Sequence, residues 1–291
     1  MNHWHRSSGN GFMVLAALAW SAAMVFQSSV ASQAAEHDSR LEKIRKRGEI
    51  VAGIRRDIPP HSHIDGAGNW VGFDIDIAEK IASELGVKLR KVPVDELTRI
   101  SFLQTGNIDI AVASMSHTWK RDDQIDFSQT YFWSRQSFLV RKDRISKYPD
   151  LIGKPVGMSR GSHSLGNWKN WLRAQGHQVK DDSILEFGSK QSAVQAVLQG
   201  LVAGWAEDLE VLISYARPHP ELVVLMDDFI GVKQNGIGLA ENDSKLRDAI
   251  NKALQGIEKS GAYTAIYERW FGPNTDTHIP LTNRIEVWPD G

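Results

Sequence analysis

The sequence predicts an α/β protein made of two similar units, each a parallel sheet covered by helices. Apolar runs of strand length alternate with helical patterns from residue 41 to residue 113, and the alternation resumes near residue 135. Such alternation is typical of β-α-β units in a parallel sheet. No Pro/Ser-rich linker separates the two units, so we expect lobes that are joined by ordinary strands.

The first unit opens with a short basic helix, Leu41–Arg47, which Gly48 ends, and the strand Ile50–Ile54 follows. The next helix is Phe73–Leu85, where apolar residues recur at every fourth position and Gly86 supplies a left-handed end. The unit is completed by the strand Val87–Val92, the helix Thr98–Thr105 and the strand Ile108–Ala113.

The second unit shows the same alternation, and two helices follow it. We predict strands at Phe138–Val140, Lys154–Met158, Val202–Ala206 and Gly236–Leu239, and helices at Asn167–Ala174, Ser192–Gln199, Leu246–Ile257 and Tyr263–Trp270. Residues after 272 carry prolines and no periodic pattern, so we expect an extended strap there.

The composition excludes several classes of site. The 291 residues are 42% hydrophobic, which is enough for a proper core, and the formal charge is -1. That charge gives no electrostatic reason to expect nucleic acid or an anionic membrane surface as a partner. The chain has no cysteine, which excludes disulfides, thiolate metal sites and cysteine nucleophiles.

Residues 1–35 have the pattern of a secretory signal peptide. They contain no acidic residue and a single arginine, Arg6, before the nearly unbroken apolar run Phe12–Phe26 and a small-residue exit. We predict cleavage near Ala34, with Ser32 as the second candidate. Because the apolar run is short for a transmembrane helix, we expect an exported, soluble protein rather than a retained anchor.

Polar residues follow the predicted strand Ile108–Ala113 and lead to an arginine. Ser114, Ser116 and Thr118 present hydroxyls, and Arg121 comes shortly after them. Ligands of parallel α/β sheets bind beyond the carboxyl ends of strands, where a guanidinium can hold a carboxylate with two parallel hydrogen bonds. The segment therefore predicts an anion site, although a solvated loop explains its charges equally well by itself.

The second unit offers an anion cradle and a candidate cation site. Ser162 and Ser164 stand where a helix begins, and the free N–H groups of a helix start bind anions. Asp208 comes just after a predicted strand, with Glu207 beside it, and suits a cationic partner. Capping of a following helix is an equally good interpretation of Asp208.

A Gly-x-Ser-x-Gly pattern at Gly157–Gly161 matches the nucleophile elbow of hydrolases, with Ser159 as the nucleophile. An acid and then a histidine must follow in the chain, and Asp208 or Asp227 with His278 fit that order. The pattern is short and common, and the strand before it contains a proline, so we favour the anion cradle at this place. A serine hydrolase is the alternative.

His61, His63 and Asp65 could bring two imidazoles and a carboxylate to a metal ion, since alternate residues of a strand share a face. No further ligand with a recognised spacing follows, so a polar loop is the favoured interpretation. The sequence also lacks a phosphate loop and a dinucleotide fingerprint. We therefore expect neither a metal nor a cofactor.

Six short motifs occur in an order that resembles one known family. They are Val71–Ala78, Leu103–Asp109, Thr118–Arg121, Ile125–Ser128, Gly153–Gly157 and Trp270–Gly272. Together they resemble the family 3 extracellular solute-binding proteins, the periplasmic receptors of ABC importers for polar amino acids. The resemblance covers about residues 41–272. It implies a type II periplasmic-binding-protein fold, with two lobes, two hinge strands and the ligand in the cleft between them.

The resemblance also implies lobe borders and partners. After a signal peptide over residues 1–35, we expect the first lobe to comprise residues 36–133 and 235–291, and the second lobe residues 134–234. The expected partners are a small-molecule amino acid and an inner-membrane ABC permease, for a monomeric periplasmic receptor that is not an enzyme. The rivals are a lyase, dehydratase or serine hydrolase on the same scaffold, and a sensor that signals to a partner.

The family's binding residues carry over by position. The arginine of the Thr-x-x-Arg motif, here Arg121, would hold the ligand α-carboxylate, and an acid of the second lobe, here Asp208, would hold the α-ammonium. The other contacts fall on Ser114, Ser116, Gly161 and Ser162.

Two departures from the family pattern bear on these roles. Ala203 and Gly204 replace the usual acidic residue, so the match to Asp208 depends on its spacing from Gly200. The first strand is followed by Arg55 rather than by an aromatic residue, which resembles the family's glutamate/aspartate receptors. Because a second guanidinium could neutralise a side-chain carboxylate, we expect a preference for an acidic amino acid. The alternative is that Arg55 and its neighbour Arg56 face solvent.

Overall fold

A computed structural model describes residues 39–178 and 183–289 of the chain. The predicted signal peptide and its cleavage site near Ala34 lie outside the described residues. Within the described ranges, no helix is long and apolar enough to cross a membrane.

The described chain alternates strands and helices, as the sequence predicts. The strands are β1 Glu49–Ile54, β2 Asp57–Ile58, β3 Ser62–Ile64, β4 Trp70–Val71, β5 Lys88–Pro93, β6 Ile110–Ser116, β7 Asp126–Arg141, β8 Val156–Ser159, β9 Ile184–Phe187, β10 Gly204–Asp208, β11 Leu222–Val224 and β12 Gly231–Leu239. The helices are α1 Arg40–Arg47, α2 Phe73–Glu84, α3 Arg99–Thr105, α4 Trp119–Asp122, α5 Ser164–Ala174, α6 Lys190–Gln199, α7 Leu209–Ala216, α8 Ser244–Lys259 and α9 Ala262–Phe271.

Strands β7 and β12 join two groups of parallel strands in one mixed sheet. One group has the order β5-β1-β6 and the other β10-β8-β9, and the antiparallel pair of β12 and β7 lies between them. β7 is 16 residues long and pairs with β12 along its first part and with β10 along its last part. The fold is therefore the two-lobe α/β arrangement, and β7 and β12 are its hinge strands.

The predicted lobe borders fall inside the two hinge strands. Trp133 of β7 and Gln234 of β12 are the last residues before the two borders, and they are directly paired. Both predicted borders therefore cross the paired strands β7 and β12 at the same position along the ladder. The division of the chain at these positions stays a prediction.

Helices cover both faces of each strand group, because successive side chains of a strand point to opposite faces. Along β1, Ile50 and Ala52 pack in one apolar cluster with α2, α8 and α9, whereas Val51 packs in another with α3. Along β7, Phe138 and Leu139 likewise belong to two different clusters of the second lobe. The buried apolar clusters therefore follow the two predicted lobes, except that Ile58 of the predicted first lobe packs in a cluster of the second.

The helix ends follow local signals in the sequence. The side chain of Ser39 accepts a hydrogen bond from the N–H of Glu42 at the start of α1, and Gly48 ends that helix with φ +67°. Gly200 ends α6 in the same way, with φ +75°. These left-handed conformations favour glycine. The tail after α9 has no regular structure and packs Ile285 into the core of the first lobe.

Several strands begin or end at residues other than those the sequence pattern indicates, and the largest difference is β7, which spans Asp126–Arg141 where the pattern predicts only Phe138–Val140. β6 continues to Ser116, so that Ser114 and Ser116 lie in the strand and not after it. β10 is Gly204–Asp208 and ends on the acid itself, and β12 begins at Gly231 rather than at Gly236. Most polar residues at these strand ends are buried, so hydrophobic alternation does not mark the strand limits.

Candidate ligand-binding site

A cavity between the two lobes is lined mainly by charged and polar side chains. Its volume is about 20 Å³, room for about one water molecule, so its walls lie close together. Several lining residues stand at or just after the carboxyl ends of β1, β5, β6 and β10, where ligands of α/β sheets bind. The lining residues are Arg55, Ile58, Glu96, Arg99, Ser114, Ser116, Arg121, Gln136, Ser162, His163, Glu207, Asp208 and Lys233.

Arg121 lies in the short helix α4 and lines this cavity. Its Nη1 donates to the carbonyl oxygen of Ser116 at 2.9 Å, and its Nη2 donates across the cleft to the carbonyl oxygen of Gly161 at 3.4 Å. Burial lowers the pKa of Arg121. Within the described part of the chain no carboxylate pairs with this guanidinium, which therefore keeps the capacity to bind an external anion.

Ser114 and Ser116 lie beside Arg121 at the end of β6. Ser114 has φ +46°, a conformation that a non-glycine residue rarely adopts, and it lies where the pairing of β6 with β12 shifts register. Its Oγ accepts a hydrogen bond from Nδ2 of Asn235 at 3.1 Å and from Nζ of Lys233 at 3.3 Å. The Oγ of Ser116 is buried and has no hydrogen-bond partner in the described chain, so it is open to a ligand.

Asp208, the predicted ligand of the α-ammonium, is already paired. Its Oδ2 forms an ion pair with Nζ of Lys233, and its Oδ1 accepts a hydrogen bond from Nε2 of Gln136 at 2.9 Å. Asp208 is 3% exposed and Lys233 6% exposed, so water does not screen the pair. Asp208 is the N-cap residue of α7, as the capping interpretation expects, but its side chain makes no capping hydrogen bond to that helix.

Arg55 lines the cavity but is bound by two carboxylates of its own lobe. Its Nε and Nη2 form a two-pronged contact with Asp57 at 2.9 and 2.7 Å, and its Nη1 binds Glu96 at 2.7 Å. Burial by itself would lower the pKa of Arg55, but Glu96 and Asp57 raise it. The solvent-facing alternative is wrong for Arg55, which is 3% exposed, and is confirmed for Arg56, which is exposed.

Lys190 is the centre of a chain of buried ionic contacts between the lobes, which the sequence did not reveal. Its Nζ binds Glu96 at 3.0 Å, the Oγ of Ser159 at 2.9 Å and a carboxylate oxygen of Glu207. Ser159 in turn donates to Glu207 at 2.8 Å. Burial would raise the pKa of Glu96, but Lys190 and Arg55 lower it well below its usual range. Glu96 on the first lobe is thereby tied to the second.

Arg99, the first residue of α3, is the other unexpected cation of the cavity. It is 3% exposed, its Nη1 donates to the carbonyl oxygen of Ala113 at 2.9 Å, and its Nε is buried without a partner. Burial and the charge of Arg121 lower the pKa of Arg99 to about 9, so it keeps its proton at neutral pH. Among residues 39–178 and 183–289, no carboxylate forms an ion pair with it.

The predicted anion cradle of the second lobe lies at the start of α5. Ser162 lines the cavity, and its Oγ accepts a hydrogen bond from the N–H of Ser164 at 3.4 Å. The Oγ of Ser164 is buried and unpartnered within the described chain, but Ser164 does not line the cavity. His163 does line it, and burial together with Arg121 and Lys233 lowers the pKa of His163. Gly161 adds the carbonyl that Arg121 contacts.

The alternative sites are not assembled in the described chain. Ser159 is hydrogen-bonded to Lys190 and Glu207 and to no histidine, so it is not the nucleophile of a Ser-His-Asp arrangement. His61 is buried against Glu210, with Nε2 and Oε1 at 2.8 Å, and not beside His63 in a common site. No group of residues that could hold a metal ion occurs among the described residues.

Some of the cavity residues that the sequence analysis missed could have been found by a general rule, and others could not. Glu96 and Arg99 follow β5, so the rule that ligands bind beyond the carboxyl ends of strands could have found them. Lys190 and Lys233 lie just before the predicted limits of a helix and of a strand, and no local pattern marks either lysine as a site residue. The packing of the two lobes brings Lys190 to Glu96, and the order of strands β12-β7-β10 brings Lys233 to Asp208.

Three comparisons relate the chain to known proteins. The model of the bacterial extracellular solute-binding proteins, family 3, matches residues 50–273. The L-cystine-binding protein of Escherichia coli is 26% identical over 253 residues, which is 86% of this chain and 92% of that protein. The glutamine-binding protein of an ABC transporter in Bacillus subtilis is 30% identical over 246 residues, 82% and 87% of the two chains.

A solved structure agrees with the sequence relatives. An ancestral arginine-binding protein bound to glutamine superimposes with a TM-score of 0.69 and is 36% identical in sequence. The matched region covers 78% of this chain and 99% of the ancestral protein. These relatives are solute-binding proteins and not enzymes, and the family is extracellular or periplasmic. The resemblance inferred from the six motifs is confirmed: the chain belongs to the bacterial extracellular solute-binding proteins, family 3.

Proposed function

We propose that this protein is the monomeric periplasmic receptor of an ABC importer and that it binds a small solute with two carboxylates, such as an acidic amino acid. A signal peptide over residues 1–35 would export it, and the ligand-bound receptor would deliver its solute to a permease in the inner membrane. The relatives bind cystine, glutamine and arginine according to their names, which supports a ligand of amino-acid size.

Two guanidiniums without a carboxylate partner in the described chain carry this proposal: that of Arg99 is buried and that of Arg121 is half-buried. Arg99 and Arg121 line the cavity, and within the described ranges both donate only to backbone carbonyls. A buried charge without a counter-ion costs several kcal/mol, so an anion that enters the cavity relieves an existing penalty. Two such cations favour a ligand with two anionic groups.

The division of labour between the arginines follows from their contacts. Arg121, with Ser114 and the unpartnered hydroxyl of Ser116, is the candidate for the α-carboxylate. Arg99 is a better candidate than Arg55 for the second carboxylate, because Asp57 and Glu96 already neutralise Arg55. The expected preference for an acidic ligand therefore depends on Arg99 rather than on Arg55.

The ligand would couple the two lobes. Arg121, Ser114 and Ser116 belong to the predicted first lobe (36–133 and 235–291), whereas Asp208, Gly161 and Ser162 belong to the predicted second lobe (134–234). A solute that contacts both lobes stabilises the closed form by the difference between its affinities for the closed and open forms. The permease would then recognise the closed surface.

A panel of acids and neutral amides tests this function. The mature protein, residues 36–291, is titrated in a calorimeter and in a thermal-shift assay with glutamate, aspartate, glutarate, succinate, glutamine and asparagine. At about a hundred times its Kd a true ligand adds roughly 2.7 kcal/mol of stability and raises the unfolding midpoint. We expect at least one dicarboxylate to bind, at least about tenfold tighter than either amide, and to be recovered unchanged by mass spectrometry. Equal binding of the amides, or consumption of the ligand, would contradict the proposal.

A further inference from the structure

The ammonium of Lys233 has three acceptors around it in the cavity. Nζ forms an ion pair with Oδ2 of Asp208 and donates to the carbonyl oxygen of Ser114 at 2.8 Å and to the Oγ of Ser114 at 3.3 Å. An ammonium has three protons to donate, so these contacts use its full capacity. Lys233 is 6% exposed and therefore depends on them.

The carboxylate that Lys233 uses is the one that a ligand α-ammonium would need. Asp208 is the acid that the family resemblance assigns to the α-ammonium, whereas Ser114 is a predicted contact of the neighbouring α-carboxylate. The other groups of this corner reinforce the arrangement. Gln136 donates to Oδ1 of Asp208 at 2.9 Å, and Asn167 fixes Gln136 with a hydrogen bond of 2.7 Å to its Oε1. Asn235 donates to the same Oγ of Ser114 at 3.1 Å.

We propose that Lys233 permanently fills the ammonium position, so that the receptor selects dicarboxylates without an α-ammonium over the corresponding amino acids. This inference depends on the proposed function, because it names the class of acid that the same cavity takes. A ligand ammonium would have to lie beside Lys233 and share the carboxylate of Asp208 with it. Two positive charges that contact the same carboxylate repel each other strongly in a buried site. A carbonyl, a hydroxyl or a methylene group meets no such repulsion.

The groups that remain open in the cavity also fit an ammonium-free acid. Arg99 and Arg121 are donors only, and the hydroxyl of Ser116 has no partner in the described chain. The other carboxylates of the cavity, Glu96 and Glu207, are bound by Lys190 and Arg55. Within the described chain, the cavity thus offers donors for carboxylates but no unpaired acid for an ammonium.

Matched pairs of ligands test the inference on the unmodified protein. Calorimetric titration of residues 36–291 compares glutarate and 2-oxoglutarate with glutamate, and succinate with aspartate. We expect the ammonium-free member to bind at least about tenfold tighter in at least one pair. If the amino acid binds as tightly or more tightly in both pairs, the inference is wrong while the proposed function stands. If none of these acids binds, both the function and the inference fail.

The variant Lys233→Met identifies the residue responsible. Removal of the internal ammonium frees Asp208 and Ser114, so the preference for the ammonium-free acid should fall at least about tenfold, and glutamate should gain affinity. Lys154→Met, which removes an exposed lysine of the second lobe, is the control and should leave the preference unchanged. An unchanged preference in folded Lys233→Met would overturn the role of Lys233. If that variant does not fold, Lys233→Met with Asp208→Asn removes both charges, and the preference should again fall.

Discussion

Two buried clusters of charged side chains lie where the lobes meet, and they differ in the sign of their surplus charge. The hinge cluster consists of His61, Asp74, Tyr131, Ser134 and Glu210. In it, His61 lies 2.8 Å from Glu210 and 3.6 Å from Asp74, Tyr131 donates to Asp74 at 2.9 Å, and Ser134 donates to Glu210. The imidazole of His61 therefore lies beside two carboxylates, and the hydroxyl groups of Tyr131 and Ser134 donate hydrogen bonds to the same carboxylates.

The cavity cluster has the opposite surplus. It consists of Arg55, Glu96, Arg99, Arg121, Lys190, Glu207, Asp208 and Lys233. Arg55 and the two lysines are paired with acids, whereas Arg99 and Arg121 are left without an ion pair in the described chain. The hinge cluster therefore has more acids than bases, and the cavity cluster more bases than acids.

The difference shows why one cluster is structural and the other is a candidate binding site. Burial by itself would lower the pKa of His61, but Asp74 and Glu210 raise it to about 9. In the hinge cluster, the proton that His61 keeps therefore offsets part of the negative charge of these two carboxylates. Arginine has no such adjustment near neutral pH, because it stays protonated. A surplus of buried arginine is therefore relieved by an anion from outside, and this is what a receptor for acids needs.

The largest effect is expected at the ion pairs that link the lobes through the cavity cluster. Lys190→Met leaves Glu207 and Glu96 buried without their ammonium, so we expect a loss of about 3–5 kcal/mol of unfolding free energy in urea titrations. The double variant Lys190→Met with Glu207→Gln should recover most of that loss, and Lys252→Met, at an exposed lysine, should lose little. A single variant as stable as the wild type would show that the chain of contacts does not support the fold.

Arg121→Ala separates binding from stability in the same cluster. Loss of a charged, desolvated anchor should weaken dicarboxylate binding roughly a thousandfold, about 4 kcal/mol, in calorimetric titrations. The ligand-free protein should unfold at the same temperature or higher, because the removed cation has no acidic partner in the described chain. Lys120→Ala, at the exposed neighbouring lysine, is the control and should bind normally. Unweakened binding by Arg121→Ala would remove Arg121 from the site.

The hinge cluster should make stability depend on pH in one direction. Folding raises the pKa of His61 from 6.5 to about 9, so its contribution is fully present below pH 6.5 and is lost as the pH rises through 9. The shift corresponds to about 3 kcal/mol of unfolding free energy. His61→Gln should flatten the fall in stability between pH 6.5 and 9, and His177→Gln, at an exposed histidine, should not. If the unfolding free energy of His61→Gln falls with pH as steeply as that of the wild type, other titrating groups cause the fall.

The smallest effect is expected at Arg99, and it should have opposite signs for binding and stability. Arg99→Met should weaken dicarboxylate binding about tenfold, since it removes one of two anchors, and should leave the ligand-free protein slightly more stable. Arg90→Met removes an exposed arginine paired with Glu49 and serves as the control for both measurements. If Arg99→Met destabilises the ligand-free protein instead, its guanidinium has a structural role.

The sequence allowed the elements, the family and half of the site to be predicted, because these depend on local patterns. Apolar periodicity indicated the helices around Phe73 and Leu246, and the Thr-x-x-Arg motif indicated Arg121. The limits of β6 and β12 were wrong, because their polar residues are buried against each other. Because Asp208 pairs with Lys233, we expect Asp208→Ala to destabilise the ligand-free protein as well as to weaken binding.

By itself, the sequence determined the α/β class and several helix ends, and it predicted that Arg121 lies in the site, since spacing over a few residues decides all three. Only the tertiary structure decided which charges remain unpaired. Glu96 and Lys190 are 94 positions apart, and Asp208 and Lys233 are 25 apart. Glu96 and Lys190 come from the two predicted lobes and meet only where these pack together. Asp208 and Lys233 both belong to the predicted second lobe and meet because β10 and β12 flank β7. Charge balance in a buried site is a sum over residues from the whole chain, and no local pattern contains that sum.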